Sequence, residues 1–244
     1  MMCNLGQELQ QATQALTPPV TDSQPMQILD ICMAPGGYAT AALKYQPNAR
    51  ACGISLPESL GGHALCLQPG QADVEYLDVL IEEYSDNPIP PSYPKSELFS
   101  TKRPFMGQRF DLVFCDGQVL RTNKPHREDY CEPHEAFRLT ISQLILALQR
   151  IRTAGSLVML LHKVERWHSV ELLYRLSSFA KVQLWKSKTR HQTRSSFYVV
   201  AKDVRPECQA AKEVLAGWRS GWWEATFGGE DGTGRPSETV EKRR

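Results

Sequence analysis

The chain has 244 residues, 41% of them hydrophobic and 23% charged, enough for one well-buried α/β domain and short for two. A formal net charge of +1 excludes a globally basic surface, so any contact with nucleic acid must come from a local patch. Seven scattered cysteines form no C-x-x-C pair, which argues against both a zinc site and a disulfide framework and favours a reducing, intracellular location in cytoplasm or nucleus.

Residues 4–16 read as a short amphipathic helix, stopped by the prolines of TPPVTDSQP, so 1–25 are taken as a leading helix and linker. The first residues lack the basic and apolar regions of a signal peptide, and the longest apolar run, near SLVMLL, is too short to span a bilayer. QILDIC (27–32) reads as a buried strand, and YATAALKY as a helix entered through Pro-Gly-Gly. ARACGISL (49–56) is a second strand, after which GGHALCL is expected to start a helix. ADVEYLD (72–78) alternates like a third strand, and VLIEEY reads as a short helical stretch. Residues 85–109 carry five prolines and no apolar period, the pattern of a surface loop or lid.

FDLVFCDG (110–117) is a fourth strand ending on Asp116, and 134–152 form the clearest amphipathic helix of the chain. AGSLVMLLHK (154–163) is a fifth strand, HSVELLYRLSSF a helix, KVQLWKS (181–187) a sixth strand and SSFYVVAK (195–202) a seventh. Strands alternating with helices imply a Rossmann-like, mostly parallel sheet with helices on both faces. The last two strands, joined by a loop alone, imply a terminal antiparallel hairpin. The expected organisation is thus a domain over 26–204, a C-terminal helix over 205–228 packing on it, and a disordered tail over 229–244.

Ligands of such sheets bind beyond the carboxyl ends of the strands. ILDICMAPGGYATAALKY places Asp30 and the Gly36–Gly37 step there, where glycines permit close backbone approach and the following helix offers its N-terminal N–H groups. The alternative is a tight strand-to-helix turn with a buried Asp cap. The spacing is not G-x-G-x-x-G, so a dinucleotide is disfavoured.

The D-x-C-x-A-P-G-G-Y stretch, the strand-end Asp of FDLVFCDG, the strand-end Lys of AGSLVMLLHK and the final KSKTRHQTRSSFYVVAK together resemble the FtsJ/RrmJ-type S-adenosylmethionine-dependent RNA 2′-O-methyltransferases, over roughly residues 26–202. The resemblance implies S-adenosyl-L-methionine as cofactor, with Asp30, Ala34, Pro35, Gly36, Gly37 and Tyr38 at its methionine end. Ser55 falls where the family often has an acidic residue near the ribose. Asp78 falls at an adenine contact, the alternative being a helix N-cap. It implies Asp116 and Lys163 at the reacting hydroxyl, with Asp116 also near the cofactor.

An ammonium ending an apolar strand needs a partner, and Asp116 on the neighbouring strand is the natural one. The family's other two members are a Glu, replaced here by Ser196, and an upstream Lys. The chain has no Lys before Lys44, which fits an N-terminus cut short.

Two basic segments are expected at the same strand ends. One carries Lys186, Lys188, Arg190, His191 and Arg194; the other carries Arg121, Lys124 and Arg127. They suit phosphates and make RNA the leading substrate, the alternative being solvated charge. Trp218, Trp222, Trp223 and Phe227 could stack bases, but their helical spacing favours packing, and His63 reads as structural. No metal and no membrane contact is expected. Two other functions are a non-catalytic cofactor- or RNA-binding module, favoured by Ser196 and the absent Lys, and a small-molecule O-methyltransferase using 85–109 as its lid.

Overall fold

The computed structural model describes residues 2–19, 25–80, 84, 86–93, 96–119, 134–189, 192–229, 232 and 234. Five α-helices fall among these: α1 Met2–Thr13, α2 Gly37–Tyr45, α3 Glu135–Arg150, α4 Trp167–Ser177 and α5 Gln209–Phe227. The strands are β1 Gln27–Ile31, β2 Arg50–Ser55, β3 Ala72–Tyr76, β4 Phe110–Cys115, β5 Ile151–His162, β6 Lys181–Trp185 and β7 Ser196–Lys202. They form one sheet in the order β3-β2-β1-β4-β5-β7-β6. Strands β1 to β5 pair in parallel, whereas β7 lies antiparallel between β5 and β6. This is the Rossmann-like, mostly parallel sheet with the terminal hairpin expected from the sequence. No helix of the described residues is long and apolar enough to cross a membrane.

Strand alternation divides the core in two. Ile28, Ala51, Leu112, Phe114, Val158, Tyr198 and Val200 turn to one face, where Leu5 and Leu9 of α1 and Tyr38, Ala41 and Ala42 of α2 cover them. A Cβ at Gly6 would lie 2.5 Å from that of Ala41, so glycine is what lets α1 cross α2 so closely. Leu29, Ile31, Ile54, Val113, Met159 and Val199 turn to the other face, against α3, α4 and α5. Buried Asp111 joins three strands: Oδ2 accepts from the Gln27 amide at 2.8 Å, and Oδ1 pairs with Arg152 at 3.0 Å.

Four expectations need correction. Strand β5 starts at Ile151, three residues early, because a bulge with Ala154 at φ 66° absorbs the extra length before Leu112 meets Ser156. Helix α1 stops at Thr13, where Gln14 adopts a left-handed φ of 53°, before the prolines are reached.

The expected helix at GGHALCL is absent: one 3-10 turn at Glu58–Leu60 ends on left-handed Gly61, and the chain runs irregularly to Gly70. The proline-rich segment, expected as a surface loop or lid, is a loop whose described residues are fastened to α3 and α5 rather than free. Tyr93 and Phe105 are 5% exposed, and Tyr93 meets Phe227 at 4.7 Å between ring centroids. Arg150 Nε donates to the Pro104 carbonyl at 3.0 Å, and Arg219 pairs with Asp86. The aromatic residues of α5 therefore pack rather than stack on a ligand: Trp222 is fully buried among Tyr84, Phe99 and Phe227. Half of the VLIEEY helical stretch, 81–83, and most of the 229–244 tail lie outside the described residues.

Candidate active site

The alternation that builds the α1/α2 face also carries polar groups to its carboxyl-terminal edge. Asp30 follows Ile28 on that face of β1, and Ser55 follows Ala51 on β2. Asp116 continues the face of Phe114, one residue past β4. His162 and Ser196 sit opposite each other across β5 and β7, on the face of Tyr198. Strand order places β1 and β4 at the centre, so Asp30 and Asp116 are the middle of the row.

The glycine turn is built for its place. Gly36 is the N-cap of α2 at φ 93°, a conformation that L side chains rarely adopt, and the Ala34–Pro35 bond is cis. A Cβ at position 36 would lie 2.5 Å from Leu67 Cδ1, because the segment after β2 folds over the turn and the Cys66 amide donates to the Pro35 carbonyl at 3.0 Å. Asp30 accepts a bond from the Ala39 N–H, so its carboxyl caps the helix that the turn starts. Tyr38 departs from expectation. Its ring is 2% exposed, stacks on Phe114 and donates to the Tyr198 hydroxyl at 2.5 Å. The phenol belongs to the core, because its place in the first turn of α2 aims it at the sheet; only its backbone stays in the turn.

Three carboxyls converge here, and among the described residues the one cation that eases any of them is Arg138, at Asp78. Burial pushes the Asp116 carboxyl up to about 7. Burial, with Asp116 beside it, raises Asp30 well above the carboxylate range. Burial also raises Asp78, partly offset by its bond from the Leu80 N–H and by Arg138. All three press on Cys32, whose thiol is pushed far up by burial first and then by these charges. Asp116 Oδ1 is buried with no hydrogen-bond partner. An orphaned buried acceptor beside a left-handed glycine turn suits a ligand bearing positive charge and N–H donors.

Asp78 accepts from the Leu80 N–H at 2.9 Å, the local bond an N-cap would make, while the stretch expected to be its helix lies partly outside the described residues. Ser55 is 1% exposed on the same face as Asp30. The Asp116 loop itself is held by a residue the sequence reading missed. Gln143, buried on α3, accepts from the Gly117 N–H at 2.8 Å and donates to the Gly117 carbonyl at 3.2 Å. On an amphipathic helix that also carries Gln149, a glutamine at 143 gives no sequence signal for this.

Lys163 overturns the expected ion pair with Asp116. The ladder between β5 and β7 ends at His162, and Lys163, at φ 53°, turns out of the strand and is exposed. It forms no ion pair among the described residues. His162, overlooked in the sequence, stays on the Asp116 face instead. Its Nδ1 lies 3.0 Å from Ser196 Oγ, and its Nε2 lies 2.8 Å from Gln118 Oε1.

Of the basic residues, Lys188 and Arg194 are exposed on the loop between β6 and β7, while Arg121, Lys124, Arg127, Arg190 and His191 lie outside the described residues. That loop is fastened to α1: Ser187 Oγ donates to Glu8 at 2.7 Å and Thr189 Oγ1 donates to the same carboxylate. His63 is exposed on the segment after β2.

Comparison with known proteins follows this geometry. No curated protein matches the chain. Among solved structures, a Plasmodium falciparum protein assigned as a ribosomal RNA methyltransferase shares 18% identity with a TM-score of 0.53, covering 83% of this chain and 96% of its own. The Bradyrhizobium japonicum N-methyltransferase NodS, solved with S-adenosyl-L-homocysteine, shares 16% identity with a TM-score of 0.44, over 80% of this chain and 87% of its own. At these identities the first likeness speaks for the fold. The FtsJ-like methyltransferase family matches residues 7–204, most of the chain and all seven strands, and the chain belongs to that family.

Proposed function

We propose that this chain methylates a ribose 2′-hydroxyl of RNA with S-adenosyl-L-methionine as donor. The observation that carries the reading is the unpartnered, buried Oδ1 of Asp116 on the face of the glycine turn, beside Asp30, with no cation of the described residues easing either carboxyl. The donor bears a sulfonium and an ammonium, so it supplies both the positive charge and the N–H donors such a pair needs. It provides an activated methyl group; the chain's task is to hold it and to align an oxygen in line with the methyl. Asp30 and the backbone from Ala34 to Tyr38 would hold its methionine end, with Ser55 and Asp78 toward its nucleoside. Lys188 and Arg194, exposed near the same strand ends, suit RNA phosphates.

The test is transfer of tritium from labelled donor to capped, ribosomal and transfer RNAs. Asp116→Ala is expected to abolish the transfer, and wild-type protein that labels none of these RNAs would refute the proposal. A second reading, a non-catalytic member that binds donor or RNA, is favoured by two observations: Lys163 is exposed away from Asp116, and the family's Glu position is Ser196. It predicts donor binding by calorimetry without any labelled product.

A further inference from the structure

We propose that His162, and not Lys163, accepts the proton of the substrate hydroxyl at this site, receiving it through Ser196. The inference rests on the hydroxyl-methylation reading above and deepens it. The geometry is a continuous chain on the Asp116 face, from Gln118 Oε1 to His162 Nε2 at 2.8 Å and from His162 Nδ1 to Ser196 Oγ at 3.0 Å. Its three members come from three different places: the loop carrying Asp116, the end of β5 and the start of β7. Their meeting is set by the cross-strand register His162–Ser196. Ser169, on α4, donates to the His162 carbonyl at 3.1 Å and secures the backbone there.

The chain of bonds fits both charge states of the ring. A neutral imidazole has one N–H. With Nε2–H donating to the Gln118 oxygen, Nδ1 accepts the Ser196 O–H. Once protonated, Nδ1–H donates to Ser196 Oγ, and the bond to Gln118 is unchanged. Rotation of one hydroxyl is the only adjustment. Partial desolvation of the ring lowers the His162 pKa, and Arg194, on the loop entering β7, lowers it further. The neighbours Gln118, Ser196 and Ser169 are neutral, and Lys163 adjoins the ring in the chain. The imidazole therefore starts neutral near pH 7, able to take a proton.

In the step itself, the substrate O–H proton moves to Ser196 Oγ as the Ser196 proton moves to His162 Nδ1. The freed electron pair on the substrate oxygen forms the O–CH3 bond. The S–CH3 pair stays on the donor sulfur, which leaves as a neutral thioether. The imidazolium then releases its proton to solvent, since His162 is exposed. A hydroxyl alone, as Ser196 is, cannot hold the proton; the histidine behind it can.

The test uses the full chain in two measurements. In 15N-detected NMR, His162 is expected to show a single Nε2–H tautomer when neutral, and Ser196→Ala to release that lock. In turnover assays, His162→Gln is expected to lose about 100-fold and to flatten the acid limb of the pH–rate profile, with donor affinity by calorimetry unchanged. Ser196→Glu, which puts a carboxylate acceptor in place, is expected to restore turnover in the His162→Gln background; a merely structural histidine would not be bypassed in this way. If wild type and His162→Gln turn over with the same profile, the relay is wrong and the methylation reading stands. If wild type labels no RNA while the tautomer is locked, the methylation reading fails and the relay with it.

Discussion

Asp116 sets stability against binding. Its carboxyl has its folded-state pKa raised to about 7, and the cause is burial. Below the unfolded value near 4 both states hold the proton and the group is neutral in its effect. As pH rises from about 4 to about 7 the unfolded chain releases a proton that the folded chain keeps, so stability falls; above about 7 the full cost is present. Asp116→Asn removes the charge while Oδ1 has no partner to lose. The variant is expected to match wild type at pH 4 and to exceed it by about 2 to 4 kcal/mol at pH 8, by the linkage of about 1.4 kcal/mol per unit. Urea melts at the two pH values measure it, and equal differences at both would sink the idea.

This residue was legible as a strand-end carboxylate. Lys163 was not, for a reason at the same scale. An apolar run that ends in His-Lys does not say which of the two closes the ladder. That is settled by where β7 begins, at Ser196, and by the left-handed turn at Lys163. Tyr38 was misread for a similar reason: the motif places its backbone, while the first turn of α2 aims its ring at Phe114.

At the scale of elements, the leading helix does more than cover the sheet. Glu8 on α1 accepts from Ser187 and Thr189, the two hydroxyls flanking Lys188 on the loop between β6 and β7. Lys202 of β7 also donates to the Thr13 carbonyl at the end of α1. Hydroxyl bonds to a carboxylate contribute about 1.5 to 3 kcal/mol each where they are shielded and less where solvent competes. Glu8→Ala is expected to destabilise the chain by about 1 to 2 kcal/mol and to speed hydrogen exchange at the Thr189 amide, which donates to Ser187 Oγ. On the proposed reading, RNA affinity should fall several-fold and donor affinity should not move. Unchanged exchange at Thr189 would show that the loop is ordered without α1. The helix was readable from its period, and so was the basic loop. Their contact was not, because 179 residues separate Glu8 from Ser187 and nothing in either segment names the other.

For the whole molecule, the sheet separates two tasks. The polar row from Asp30 to Ser196 lies at the edge of the α1/α2 face, whereas the buried aromatics Trp222, Tyr84, Tyr93 and Phe227, with half-buried Phe99, lie on the other. The aromatic cluster binds α5 to the proline-rich segment: the helical spacing of the α5 aromatics already favoured packing, and the segment read as a loop or lid is what they pack against. The seven strands were legible along the chain, because each has its own apolar run and turn signal. That Tyr93 and Phe99 pack against α5 was not, since the segment carrying them has no apolar period to read. This division yields a test. Trp222→Ala deletes a fully buried indole and is expected to cost about 3 to 5 kcal/mol. It should also open the chain near Tyr93 to proteases, because the rings that hold that segment lose their centre. Across seven strands of intact sheet, donor affinity at the other face should stay within about twofold of wild type at a temperature where the variant is folded. Limited proteolysis and calorimetry on the same sample decide it: a protected Tyr93 segment, or donor binding lost in step with the packing, would mean that the two faces are one cooperative site.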